Sequence, residues 1–207
     1  MGKIFIVRHG QTSGNRALKY FGITDIELNE NGINQAVLVS KRLKKESISR
    51  IYSSSLKRAF KTAKIIAKPH RISVELKEDL KEINFGDWEG LSFQEIQKSY
   101  PHEFSKWQNN IMNFTTPHGE SILELKRRVE TAFKEILNSA RENNVVIVTH
   151  GGPIRIILSK ILSPNALETV FWKIKQDNAA LNIIENTDNT QIISLINDTS
   201  HLNLNQS

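Results

Sequence analysis

Cysteine is absent from the 207 residues, which removes disulfides and thiolate chemistry from consideration. No long apolar span occurs and no charged-then-apolar signal precedes the first apolar run. A soluble, cytoplasmic protein with no membrane partner is therefore the expectation. Internal repeats, low-complexity tracts and linkers are also missing, so a single domain over residues 1–207 is expected. No grouping of Asp, Glu and His has the spacing of a metal site, and no cofactor is expected. Acidic residues are in deficit, with 22 Asp+Glu against 28 Lys+Arg and a net charge of +6, which favours anionic ligands. The positive charges are scattered, as at Lys41-Arg42, Lys44-Lys45 and Arg127-Arg128, so nucleic acid is not an expected partner.

What is present is a pair of histidines in matched settings. Arg8-His9-Gly10 follows the apolar run Ile4-Phe5-Ile6-Val7, and Thr149-His150-Gly151-Gly152 follows Val145-Val146-Ile147-Val148. Each histidine stands where a buried strand gives way to a glycine-bearing turn. Ligands of open α/β sheets bind at the carboxyl ends of parallel strands, so both imidazoles are expected at one crevice. A neutral imidazole can attack phosphorus, and an arginine binds phosphate oxygens as a fork. Together they point to a phosphate site.

The elements around them alternate. Lys3 to Val7 reads as a strand, and Asn29 as the N-cap of a helix presenting Ile33, Ala36, Val37, Ser40 and Leu43 on one face. Ile51 to Ser53 reads as a strand, followed by a helix capped by Ser54 or Ser55 that runs to about Ala67 and carries Arg58 in its first turn. Residues 78–116 show no strong strand signal but many aromatics, and are expected to form a helical insertion over the crevice. From Ser121, residues Ile122, Leu125, Val129, Ala132, Phe133, Ile136 and Leu137 recur at helical spacing. Pro153 suits the first turn of a further helix. Ala180 to Ile184 and Gln191 to Ile196 alternate as strands joined by Asn186-Thr187-Asp188-Asn189, and the polar tail 203–207 is expected to fray. The fold class is thus a three-layer α/β/α sandwich with a mainly parallel sheet.

Six ordered blocks resemble the histidine phosphatase superfamily, which includes cofactor-dependent phosphoglycerate mutases. They are Arg8-His9-Gly10-Gln11-Thr12 with Asn15; Gly22-Ile23-Thr24-Asp25 with Leu28, Gly32 and Gln35-Ala36; Ser54-Ser55-Leu56-Lys57-Arg58-Ala59 with Thr62-Ala63; Leu80 to Gly90; Pro117-His118-Gly119-Glu120-Ser121; and His150-Gly151-Gly152-Pro153-Ile154-Arg155. The resemblance implies that His9 is a nucleophile that becomes phosphohistidine, and that Arg8, Asn15 and Arg58 bind phosphate oxygens. It also implies that His150, with Gly151 beside it, steadies the phosphoryl group in flight, and that Glu82 is the acid for the leaving alcohol. Glu78, Asp79, Asp87 and Glu89 are the local rivals of Glu82, which only motif register selects. His118 is expected to be an exposed loop residue and His201 a terminal capping residue.

Within that superfamily the chain looks most like alpha-ribazole phosphatases and small broad-specificity phosphatases. Phosphoserine phosphatases share much of the pattern. Ile83 follows Glu82 where mutases carry an arginine, which sets mutases lower. The expected partner is a small phosphorylated metabolite. A homodimer stays open, though no apolar face for one is identifiable. A non-catalytic sensor of phosphorylated ligands is the reading from another class, and it leaves the nucleophile and the acid without a purpose.

Overall fold

The computed structural model describes residues 2–165, 167–187 and 190–203. The tail residues 204–207 and positions 188–189 of the expected turn lie outside them.

Strand β1 (Gly2–Arg8) is central. It pairs in parallel with β4 (Asn144–Thr149), which pairs in parallel with β2 (Ile48–Ser53), which in turn pairs in parallel with β3 (Val74–Leu76). On its other side β1 is joined by the antiparallel strands β5 (Leu181–Asn186) and β6 (Gln191–Asp198), giving the order β3-β2-β4-β1-β5-β6. Side chains alternate between faces along each strand. Ile4, Ile6, Val145 and Ile147 enter the core under α6 (Ile122–Ser139) and α7 (Gly151–Leu162). Phe5, Val7, Val146 and Val148 enter the opposite core under α2 (Glu30–Leu43) and α3 (Lys57–Ala67). Three layers result, as the alternation of strands and helices requires.

Short elements complete the chain: α1 (Ser13–Arg16), α4 (Phe93–Ser99), α5 (Pro101–Asn109) and α8 (Leu167–Val170). Residues 78–116 hold α4, α5 and two 3-10 turns, and their aromatics form a separate cluster around Trp88, Ile96 and Phe104.

The structure corrects three local readings. In α2, Ile33 and Val37 are each 38% exposed while Val39 and Gly32 are buried, so the inward stripe is rotated. Strand β2 begins earlier, at Ile48, and the half-exposed edge strand β3 was not foreseen. The N-cap of α3 is Leu56, with no side-chain cap. Asn29 does cap α2, accepting from the Gly32 N–H at 2.8 Å.

Candidate active site

The β1–β4 register places Arg8 opposite Thr149, so the next residues, His9 and His150, emerge side by side at one sheet edge. Their ring centroids are 5.0 Å apart. His9 Nδ1 lies 2.7 Å from the Gly10 carbonyl oxygen, which can only accept, so Nδ1 carries the hydrogen and Nε2 keeps its lone pair. Burial pushes the His9 ring well below its ordinary value, and Arg58 and Arg8 push the same way. The imidazole is thus held neutral. Burial lowers His150 likewise, again with help from Arg58. His150 Nε2 meets Ser54 Oγ at 2.8 Å, while its Nδ1 is buried with no partner among the described residues.

Two guanidinium groups flank the imidazoles. Arg58, on the first turn of α3, is almost wholly buried and donates to the backbone carbonyls of Thr24 (2.9 Å), Gly22 and Phe21. That loop is fixed from its other side by the Glu89 carboxylate, which accepts from the N–H groups of Gly22, Ile23, Thr24 and Phe85. Arg8 donates from Nη1 to the Gln176 carbonyl, and its Nε is buried without a partner among the described residues. Burial makes both guanidinium groups less basic, and the Glu82 charge opposes this at each. Asn15 spends its Oδ1 on Thr12 and on the Asn178 amide, leaving its NH₂ with no acceptor among the described residues.

Glu82 sits at the N-terminus of α7, where its carboxylate accepts from the Gly152 N–H at 3.1 and 3.2 Å and from the Ile83 N–H at 3.0 Å. The neighbouring Gly151 N–H has no acceptor among the described residues and stands at the positive end of the helix. Arg128 on α6 anchors the Glu82 segment. It donates to the carbonyls of Asp79, Lys81 and Glu82 and forms an ion pair with Glu120 at 2.7 Å. Three of the four rivals of Glu82 are otherwise engaged: Glu89 on the loop amides, Asp87 on exposed His118, and Glu78 on Lys81. His201 is buried in a 3-10 turn, with Nε2 3.1 Å from the carbonyl of Ala179, whose own N–H bonds the His9 carbonyl. Sequence reasoning left Ser54, Arg128 and Asn178 without site roles and offered Glu89 only as a rival acid. Glu89 and Ser54 lie inside the motif blocks, whereas Arg128 and Asn178 carry no local signal.

A cavity of about 240 Å³ opens beside these groups. Arg8, Asn15, Glu82 and Gly151 line it, while His9, Arg58 and His150 are buried outside the lining, within the fields of Arg8 and Glu82. Its remaining surface is largely aromatic, from Tyr20, Phe85, Trp88, Phe104, Trp107, Phe114, Phe171 and Trp172, with Arg155 among them. The structure therefore brings all seven sequence-selected residues to one place. Among the described residues no group of three or more His, Asp or Glu side chains could hold a metal ion, and no helix is long and apolar enough to cross a membrane.

The model of the histidine phosphatase superfamily (branch 1) matches residues 4–199. A metal-independent phosphoserine phosphatase of Arabidopsis thaliana is 35% identical over 206 residues, covering 97% of this chain and 83% of that protein. The crystal structure of a phosphoserine phosphatase variant from Entamoeba histolytica in complex with phosphoserine superposes with a TM-score of 0.86 at 30% identity, covering 98% of this chain and 100% of that one. The alpha-ribazole phosphatase of Shigella flexneri superposes with a TM-score of 0.87 over 95% of this chain and 96% of that one; at 23% identity it supports the fold alone.

Proposed function

The chain belongs to branch 1 of the histidine phosphatase superfamily and is a phosphatase, and from that premise we propose that it cleaves a small phosphomonoester by double displacement through His9. The observation that carries this reading is the neutral His9 ring, its Nε2 lone pair free, set beside two buried guanidinium groups.

In the first step the His9 Nε2 lone pair attacks phosphorus, the bond to the ester oxygen breaks, and Glu82 gives a proton to the departing alcohol. Arg8, Arg58, the Asn15 amide, the Gly151 N–H and His150 take the charge that builds on the three phosphoryl oxygens. In the second step the Glu82 carboxylate removes a proton from water as its oxygen attacks the phosphohistidine. Inorganic phosphate leaves and neutral His9 returns. The arginines and the α7 N-terminus supply the positive charge that phosphoryl transfer needs.

For the substrate, phosphoserine stands first: relatives named as phosphoserine phosphatases span this chain at 30–35% identity, beside a phosphoglycerate mutase-like protein of Arabidopsis thaliana at 38%. The aromatic wall favours a second reading, alpha-ribazole phosphate, whose base it could stack against. Ile83 beside Glu82 keeps phosphoglycerate mutase activity below both. The test is hydrolysis of phosphoserine, alpha-ribazole phosphate, 3-phosphoglycerate and p-nitrophenyl phosphate after exhaustive chelation, ranked by kcat/KM. Hydrolysis of p-nitrophenyl phosphate with phosphoserine leading is expected. No turnover of any of the four, with tight binding of a phosphorylated ligand, would make the protein a sensor.

A further inference from the structure

We propose that Arg155 is the receptor for a second anionic group on the substrate, so that the preferred phosphomonoester carries a carboxylate a few bonds from its phosphoryl group. The proposal rests on the phosphatase reading above and narrows it to acid-bearing esters.

Arg155 follows Gly151 by four residues on α7, so the two share a helix face about one turn, or about 5 Å, apart. Gly151 marks the phosphoryl end: a Cβ there would lie 3.8 Å from Glu82 and 3.9 Å from Arg8. Arg155 lines the same cavity one turn farther along. A small ester with its phosphoryl group at Gly151 therefore brings its far end to Arg155.

The guanidinium group is held but not neutralised. Its Nε donates to the Ile174 carbonyl at 2.8 Å. Its central carbon lies 5.7 Å from the Phe171 ring and 5.8 Å from the Trp172 ring. These contacts fix the plane while leaving Nη1 and Nη2 with no acceptor, and no carboxylate pairs with Arg155 among the described residues. Its charge is felt within the cavity, adding to the effect of burial on Arg8 and opposing the effect of burial on the Tyr20 hydroxyl. Two free, coplanar donors on a half-buried cation match the two oxygens of a carboxylate. The cation that position 83 does not supply beside Glu82 is thus supplied from α7.

Phosphoserine and O-phosphoethanolamine differ only in the carboxylate, and their kcat/KM ratio reads the subsite apart from the chemistry. The wild type is expected to prefer phosphoserine. Arg155→Gln should reduce that preference roughly 10- to 100-fold, mainly through KM, the range expected for a charged hydrogen-bonded pair. Arg155→Lys should recover part of it. Absence of the preference in the wild type, an unchanged ratio in Arg155→Gln, or equal losses on both esters would overturn the assignment, the last leaving Arg155 as a brace for Phe171 and Trp172. Failure to turn over any of the phosphate esters, p-nitrophenyl phosphate included, would instead defeat the phosphatase reading. Calorimetric binding of phosphoserine to wild type and Arg155→Gln then still decides the subsite: weaker binding to the variant supports it, and equal binding overturns it.

Discussion

Ser54 Oγ and His150 Nε2, 2.8 Å apart and both buried, determine which nitrogen of His150 carries its hydrogen. Ser54 Oγ also accepts from the Leu56 N–H at 3.3 Å. If it accepted from His150 as well, its own hydrogen would be buried with no acceptor, at a cost of about 1–3 kcal/mol. The Nδ1 lone pair would be orphaned too, whereas Ser54 donating to Nε2 leaves one orphan instead of two: Nδ1–H, a donor with no acceptor among the described residues. A phosphoryl oxygen is the acceptor such a group needs.

Ser54→Ala should therefore free His150 to adopt the other tautomer and lower kcat by roughly 10- to 100-fold, less than outright loss of a transition-state donor. Ser54→Thr should restore it. Nitrogen-15 NMR reads the tautomer directly. An Nε2–H form in the wild type would contradict the account, as would an unaltered kcat in Ser54→Ala.

Glu82→Gln should slow hydrolysis of alkyl phosphates by about 10²–10⁴-fold and that of p-nitrophenyl phosphate much less, because nitrophenolate leaves without a proton. Comparing the two substrates cancels any shared defect in folding or phosphate binding. Equal losses on both would show that Glu82 only braces the α7 N-terminus, where it already accepts from Gly152.

Stability should fall as the medium is acidified. His9 and His150 are held well below their ordinary value of 6.5, so between that value and their folded values the unfolded chain binds protons that the folded chain refuses. Their contribution is complete above pH 6.5 and is lost below it, with a slope of up to about 1.4 kcal/mol per pH unit for each ring. Urea unfolding between pH 7.5 and 5.5 should show a shallower slope in a His9→Asn, His150→Gln double variant than in the wild type. Equal slopes would mean that the two rings titrate alike folded and unfolded.

Gly22 joins the two halves of the site. Its carbonyl accepts from Arg58 and its N–H is held by Glu89, while a Cβ would strike the Ile83 carbonyl next to Glu82. Gly22→Ala should destabilise the fold by roughly 1–3 kcal/mol and reduce kcat/KM. A thermal denaturation midpoint and kcat/KM both equal to those of the wild type would show that the loop yields freely.

Much of this was legible in the chain. The apolar runs before His9 and His150 fixed both as strand-end residues, and the stripe from Ile122 to Ile136 on α6 is buried as its spacing requires. Arg58 and Glu82 came from motif register. The rest depends on tertiary placement. The Ser54 hydroxyl looked like a helix cap because a cap is a local choice, whereas its partner His150 lies 96 residues away. Arg128 finds carbonyls between Asp79 and Glu82 only after α6 has docked. Three-residue, half-exposed β3 has too few inward positions to produce a period. Ile33 and Val37 fit a helical stripe, yet Val39 and Gly32 face the core instead.

Rapid chemical quench of the wild-type enzyme with a radiolabelled phosphomonoester, followed by peptide mapping, decides whether His9 is the nucleophile. An acid-labile, base-stable phosphoryl group is expected on His9, formed fast enough to be on the pathway and absent from His9→Ala, which should not turn over. An intermediate on another residue, or substantial turnover by His9→Ala, would contradict that role.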